Sequence, residues 1–175
     1  ETIKKHAYEL LNRTETMQLV ENLKKTNPEL IEDVIPNVVT FASLEKILRS
    51  LLREGIPIKD LETILETIAD ASTTTHDLDM IIEQVRGALS RTITHRFCEN
   101  GQLRVVTLDA DLEKKVLAAL NKNEHGVYLA LSPDIVQQIM TQLGDLRKKF
   151  NELSQTPIVL TSQIIRVYLS RMISQ

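Results

Sequence analysis

The chain has 175 residues, of which 42% are hydrophobic and 3% aromatic, with no tryptophan. Its 21 basic and 24 acidic side chains leave a net charge of −3, which excludes the strong positive field that nucleic acid or an anionic membrane surface selects. The single cysteine, Cys98, cannot form an internal disulfide, as is typical of proteins from a reducing compartment. No apolar run reaches the roughly 18 residues of a membrane span, so we expect a soluble chain.

Helical periodicity begins at the start of the chain, where residue 1 is not methionine. One helix face is predicted to carry Ile3, Ala7, Leu10 and Leu11. A pattern that starts so early is typical of a piece of a longer protein. Thr14 is predicted to cap the next helix, which Asn27-Pro28 ends because the residue before proline avoids helical backbone angles.

Three apolar stripes at helical spacing follow, over Leu44–Leu52, Leu61–Ile68 and Leu78–Ile93. Asp77 precedes the third stripe and is predicted to cap its first turn. Between the first two stripes, Gly55 is predicted to close one helix and Pro57 to open the next. This segment therefore predicts a tight corner between two core helices.

The pattern changes at Glu99, where Glu99-Asn100-Gly101 signals a turn and a domain boundary. After it, strands are predicted to alternate with helices: strand 103–108, helix 111–120, strand 127–131, a helix from Ser132, strand 157–161 and helix 164–173. This alternation favours a small, mostly parallel sheet over residues 99–175. The predicted fold class is α+β, mainly α, and the α/β part is expected to lack its last strand.

Chemical motifs are sparse, and each candidate has an ordinary structural explanation. His95 and Cys98 lie three residues apart but have no further ligand at metal-binding spacing. Asp109, Asp111 and Ser132 are explained as helix caps rather than as an acid or a nucleophile. We therefore predict no catalytic, cofactor-binding or metal-binding residue, no cofactor and no enzymatic activity. The alternative is a small α/β enzyme or nucleotide-binding domain with a helical appendage, supported only by acids such as Asp109.

The stretch from Ile35 to Asp70 carries a specific pattern of three segments. They are Ile35-Pro36-Asn37, the helix from Leu44 through Lys46-Ile47-Leu48-Arg49-Ser50-Leu51-Leu52-Arg53-Glu54, and Ile58-Lys59-Asp60-Leu61 with Thr63-Ile64-Leu65-Glu66. Further matches are His6-Ala7, Glu9-Leu10-Leu11, Val85-Arg86, Ala88-Leu89, Arg91 and residues 157–162. This pattern closely resembles that of the Flagella/HR/Invasion Proteins Export Pore family over nearly the whole chain. Ser50, Lys59 and Ser90 depart from it, where the family usually has Asn, Arg and Gly.

The resemblance implies a part of the flagellar type III protein export gate, on the cytoplasmic side of the bacterial inner membrane. Residues 1–13 would end a preceding subdomain, 14–98 would form a helical ring-building subdomain, and 99–175 would form the α/β subdomain. Implied partners are other copies in a ring, export chaperones with their cargo, and components of the export ATPase complex. No nucleic acid is expected, and membrane contact would belong to an N-terminal domain outside this chain.

The resemblance also bears on the branch of the family and on individual side chains. Pro36-Asn37 favours the flagellar branch, with a virulence type III secretion homologue as the alternative. Five polar residues are predicted to project away from the apolar stripes and to form subunit contacts in the ring. They are Arg49, Arg53, Lys59, Asp60 and Arg86.

Overall fold

A computed structural model describes residues 7–124, 126–153, 155 and 157–174. The chain divides into two compact units, residues 1–98 and residues 99–175, here called the first and the second unit. Ile3, which was predicted on the first helix face, and His6, which belongs to the family resemblance, lie outside the described residues. None of the helices in the described ranges combines the length and apolarity that a membrane crossing needs.

The regular elements in the described part of the first unit are all helices. Its helices are α1 (Ala7–Leu10), α2 (Arg13–Lys24), α3 (Pro28–Val34), α4 (Phe41–Arg53), α5 (Leu61–Ser72), α6 (Leu78–Ala88) and α7 (Ser90–Phe97). The predicted cap Thr14 is wrong, because this helix begins one residue earlier than Thr14. Asn12 is the cap, and its side chain accepts a hydrogen bond from the Glu15 N–H at 3.0 Å. The prediction for Asp77 is confirmed, because its carboxylate accepts from two N–H groups of the first turn of α6.

The core of the first unit is formed by the predicted apolar stripes. Leu44, Ile47, Leu48 and Leu51 on α4 are fully buried, and they pack with Ile64, Leu65 and Ile68 on α5 and Val85 on α6. Helix α5 packs against α6, while α4 packs against α1, α2 and α6. The spacing of the apolar residues determines which helix faces turn inward, so this part of the sequence prediction is confirmed.

The corner between α4 and α5 confirms the prediction for Gly55 but not the one for Pro57. Pro57 does not open the next helix, because α5 begins at Leu61 with Asp60 as its cap. Gly55 has a left-handed φ of +72°. Its N–H donates to the Leu52 carbonyl at 2.9 Å, and the Ile56 N–H donates to the Leu51 carbonyl at 2.8 Å. These are the two hydrogen bonds of a Schellman motif, in which carbonyls at the end of a helix receive partners beyond it. The corner therefore ends α4 without leaving these carbonyls unpaired.

The second unit mixes short strands and helices. Its elements are β1 (Val106–Thr107), α8 (Ala110–Ala118), β2 (Leu120–Asn123), β3 (Gly126–Leu129), α9 (Pro133–Glu152), β4 (Val159–Leu160) and α10 (Gln163–Ile173). Strands β1 and β4 pair in parallel, and β2 and β3 pair in antiparallel fashion as a separate hairpin. The fold class, α+β and mainly α, is confirmed. The detail differs, because the sequence analysis did not predict β2, whose residues Leu-Asn-Lys-Asn have a weak strand signal.

The core of the second unit is small. Its central cluster of buried residues is Val116 on α8, Ile139 on α9 and Ile165 on α10. Half-buried leucines such as Leu120 and Leu129 of the hairpin pack around this cluster. Those two leucines are directly paired across β2 and β3, so both side chains lie on the face that covers the core.

Candidate protein-interaction surface

The five polar residues predicted for subunit contacts lie in the first unit, around the corner between α4 and α5. Arg49 and Arg53 are one turn apart on α4, and Lys59 and Asp60 directly precede α5. Arg86 lies in the last turn of α6 and reaches this corner through an ion pair with Glu54, the residue that follows α4. The structure therefore joins Arg86 of α6 to the end of α4.

The ion pair between Arg86 and Glu54 is protected from solvent. Only 18% of the Arg86 side chain and 28% of the Glu54 side chain are exposed. The guanidinium Nη1 donates to a carboxylate oxygen of Glu54. A charge-assisted bond in such surroundings is stronger than an exposed pair, because water screens it less. This arginine consequently stabilises the contact between α4 and α6.

Arg49 and Arg53 both contact Tyr8 of α1. The Arg49 Nε–H donates to the Tyr8 carbonyl oxygen at 3.1 Å, and Arg49 Nη1 lies 3.5 Å from a carboxylate oxygen of Glu45. The Arg53 guanidinium carbon lies 5.2 Å from the centroid of the Tyr8 ring, which is cation–π geometry. Both arginines thus have partners inside the first unit.

Tyr8 has a shifted titration because of its neighbours. Its hydroxyl donates to the Glu9 carboxylate at 2.9 Å. This hydrogen bond, together with the negative charge of Glu9, raises the pKa of Tyr8 above its usual value, while the charge of Arg53 acts in the opposite direction. Tyr8 therefore stays protonated at neutral pH.

Asp60 and Lys59 differ in what they do for the fold. The Asp60 carboxylate accepts a hydrogen bond from the Thr63 N–H at 3.2 Å and so caps α5. Lys59 is exposed, and it forms no ion pair or hydrogen bond with any residue in the described part of the chain. Of the five predicted residues, Lys59 is therefore the one whose charge is directed wholly to the surroundings.

Two contributors to this region were missed by the sequence analysis. Tyr8 lies between segments that match the family pattern, yet nothing in the spacing links it to α4. Arg96 of α7 lies against the corner, with a guanidinium nitrogen 3.3 Å from the position that a Cβ on Gly55 would take. Arg96 follows Ile93, which packs against the core, by three residues, so helical spacing places both on the same side of α7, and yet the Arg96 side chain is exposed. Helical spacing therefore gives neither its exposure nor its contact with the corner.

The candidates for chemistry are accounted for structurally. Asp109 is the cap of α8, since its carboxylate accepts from the Asp111 N–H at 3.0 Å. The explanation of Asp111 as a cap is wrong, because this residue lies in the first turn of α8. A cavity of about 210 Å³ beside Asp109 is lined by residues of β1, α8, α9, β4 and α10, and among the described residues of that lining Asp109 alone is ionisable. Ser132 is at the cap position of α9 but forms no side-chain cap bond. Within the described ranges, no three His, Cys, Asp or Glu side chains are placed to hold a metal ion, and this includes His95 and Cys98.

Comparison with known proteins gives matches over the whole chain. A family model described as the FHIPEP family matches residues 1–175. The flagellar biosynthesis protein FlhA of Bacillus subtilis (strain 168) is 38% identical over 176 residues, covering 100% of this chain and 26% of that protein. FlhA of Escherichia coli (strain K12) is 34% identical over 170 residues, covering 97% of this chain and 24% of that protein. The chain spans about a quarter of the length of these relatives.

Solved structures share the fold. The Chlamydia pneumoniae CdsV protein superposes with a TM-score of 0.87 at 31% identity, over 99% of this chain and 50% of that one. The nonameric EPEC SctV-C gives a TM-score of 0.83 at 28% identity, over 98% of this chain and 52% of that one. The structure of the Chlamydia pneumoniae CdsV and CdsO protein complex gives a TM-score of 0.83 at 29% identity, over 99% of this chain and 51% of that one.

Proposed function

Because the chain belongs to the FHIPEP family, we propose that it is part of a type III protein export gate and that it acts by binding other proteins. The observation that carries this proposal is the family match over all 175 residues. The ionisable residues of the described part add support, since those singled out for chemistry act as helix caps or surface groups. Recognition, rather than catalysis, is the activity that such a surface provides.

The flagellar system is the branch that we propose. The two relatives named above from the sequence comparison are both flagellar biosynthesis proteins, at 38% and 34% identity, which agrees with the branch that Pro36-Asn37 indicates. The protein would then act on the cytoplasmic side of the bacterial inner membrane, with its membrane contact made by a domain outside this chain.

A ring is the assembly that we propose for the full-length protein. The support is that the similar SctV-C structure is nonameric. A closed ring needs a heterologous interface, in which one face of a subunit meets a different face of its neighbour. We assign residues 14–98 to this ring-building role and place Arg49, Arg53, Lys59, Asp60 and Arg86 at or beside the subunit contact. Residues 1–13 would end the preceding subdomain, and residues 99–175 would face other partners.

Partners beyond the ring are proposed from the same family. The chain is similar to the structure of a complex between CdsV and CdsO, and this supports the binding of a second protein by this fold. We propose that export chaperones with their cargo and components of the export ATPase complex dock on the assembled ring.

Charge reversal at Lys59 tests the ring interface most directly, because this side chain serves no described contact within the unit. Lys59→Glu in the full-length protein should reduce ring assembly, measured by native mass spectrometry, and should reduce motility. The same reversal at Lys115, an exposed residue of the second unit, is the matched control and should leave ring assembly unchanged. The melting temperature of the 175-residue chain should stay the same in both variants, because exposed charges contribute about 0 to 1 kcal/mol.

Asp60 requires a milder substitution, because its carboxylate also caps α5. Asp60→Asn removes the charge and keeps the capping ability, since asparagine caps helices as well as aspartate does. A loss of ring assembly in Asp60→Asn, without a change in melting, would place this charge at the interface. Normal rings and motility in both Lys59→Glu and Asp60→Asn would refute the proposed interface.

A further inference from the structure

Helix α1 ends at Leu10, and its described residues are Ala7–Leu10. Its last residue, Leu10, is 63% exposed, and Glu9 is exposed as well. Burial of these two side chains therefore does not hold α1 in place.

Polar contacts with α4 involve the last turn of α1. Tyr8 lies in this turn, where carbonyls lack partners within the helix. Arg49 provides one of these carbonyls with a donor, because its Nε–H bonds to Tyr8 O at 3.1 Å. Glu45 lies 3.5 Å from Nη1 of the same guanidinium and so fixes its orientation. The planar guanidinium thereby bridges a side chain of α4 and the backbone of α1.

Arg53 acts on the side chain of the same tyrosine. It follows Arg49 by one helical turn, so both guanidinium groups lie on the same side of α4. Arg53 lies 5.2 Å from the centroid of the Tyr8 ring. The backbone and the ring of Tyr8 are thus each contacted by one arginine.

We propose that Arg49 and Arg53 form a clamp that keeps α1 docked on α4, in addition to any part that they have in a ring. They act as positioning residues, because they fix the direction in which the chain reaches Leu11, the first buried residue of the core. The proposal rests on contacts inside the first unit and does not depend on the proposed export function.

The clamp can be tested by the accessibility of a thiol next to α1. Leu11 is 6% exposed, so the thiol of a Leu11→Cys variant in a Cys98→Ser background should react slowly with a disulfide reagent. Adding Arg49→Ala should raise the reaction rate about tenfold, the effect of losing a hydrogen bond to a charged group. Adding Arg53→Ala should raise it about threefold, as expected for an exposed cation–π contact. Lys46→Ala removes an exposed charge from the same helix and should change nothing.

A second reporter separates the clamp from general destabilisation. Val85 of α6 is fully buried, and the thiol of a Val85→Cys variant should react at the same rate with and without Arg49→Ala. Equal acceleration at both reporters, or no acceleration at the Leu11→Cys thiol, would overturn the clamp.

A measurement on the chain without any added cysteine covers the case in which the Leu11→Cys variant fails to fold. Arg53→Ala should raise the pKa of Tyr8 further, measured by nuclear magnetic resonance of the ring, because the Arg53 charge lowers it. An unchanged pKa of Tyr8 would overturn the role of Arg53.

Discussion

Replacing Gly55 with alanine tests the corner between α4 and α5. Gly55 has φ +72°, a conformation that costs an alanine about 1–2 kcal/mol. Alanine also reduces the entropy of the unfolded chain, which offsets about 0.4–1 kcal/mol of that cost. The added Cβ would lie 3.3 Å from a guanidinium nitrogen of Arg96, an exposed and flexible side chain that moves aside readily. We therefore expect Gly55→Ala to lower the free energy of unfolding by about 1 kcal/mol.

Two matched variants separate backbone strain from the effect of an added methyl group. Gly87 lies inside α6 with an ordinary φ, and a Cβ there would meet no atom within 4 Å. Gly87→Ala should stabilise the same unit by about 0.5–1 kcal/mol, because alanine favours helix more than glycine does. Gly55→Asn should lose less than Gly55→Ala, since asparagine tolerates left-handed angles.

Urea unfolding of the whole chain, followed by circular dichroism, measures all three free energies. The opposite signs expected for the two alanine variants are the decisive result. A neutral or stabilising Gly55→Ala would refute the assignment of a strained corner. Equal losses at Gly55 and Gly87 would show that the methyl group, and not the backbone angle, is responsible.

Three further predictions concern single contacts. Arg86→Ala and Glu54→Ala should each lower the free energy of unfolding by about 2 kcal/mol, and the double variant should lower it by less than the sum of the two single losses. A loss in the double variant equal to that sum would show that the two side chains are not coupled. Asp77→Ala should cost about 1 kcal/mol and Asp77→Asn much less, because the carboxylate caps α6; equal melting of both variants would argue against the cap. Because the folded-state pKa of Tyr8 is raised, the stabilisation from its hydroxyl is present below the ordinary pKa and is lost as pH rises through the raised value. Glu9→Gln should bring the pKa of Tyr8 back towards 10.0. A pKa of Tyr8 that stays raised in this variant would contradict Glu9 as the cause.

The helices of the first unit could be predicted because their apolar spacing repeats over several turns. Leu44–Leu52 and Leu61–Ile68 each place their buried residues on one face, and the observed core follows these stripes. Gly55 was predictable because few residues other than glycine adopt a positive φ at a helix end. The cap at Asn12 was missed because Thr14 also suits a cap, and only the observed start of the helix decides between them.

The second unit was harder to predict because its strands are short. Strands β1 and β4 have two residues each, so alternation has no room to repeat, and the predicted ranges 103–108 and 157–161 were too long. Strand β2 is formed by pairing with β3 rather than by its own composition, since three of its four residues are exposed. Such a strand depends on pairing with its neighbour, and its own sequence does not show that pairing.

The polar residues around the corner show why a match to a family pattern does not by itself give a residue its role. Arg86 and Lys59 were both predicted as interface residues by the same reasoning. In the fold, Arg86 lies beside Glu54, a residue 32 positions away in sequence, whereas Lys59 has no ion pair in the described ranges. Loss of the Arg86 charge is therefore expected to lower the stability of the unit, whereas loss of the Lys59 charge removes no ion pair of the described ranges. The presence of a partner within the unit distinguishes these two roles, and that partner depends on how α4 and α6 pack.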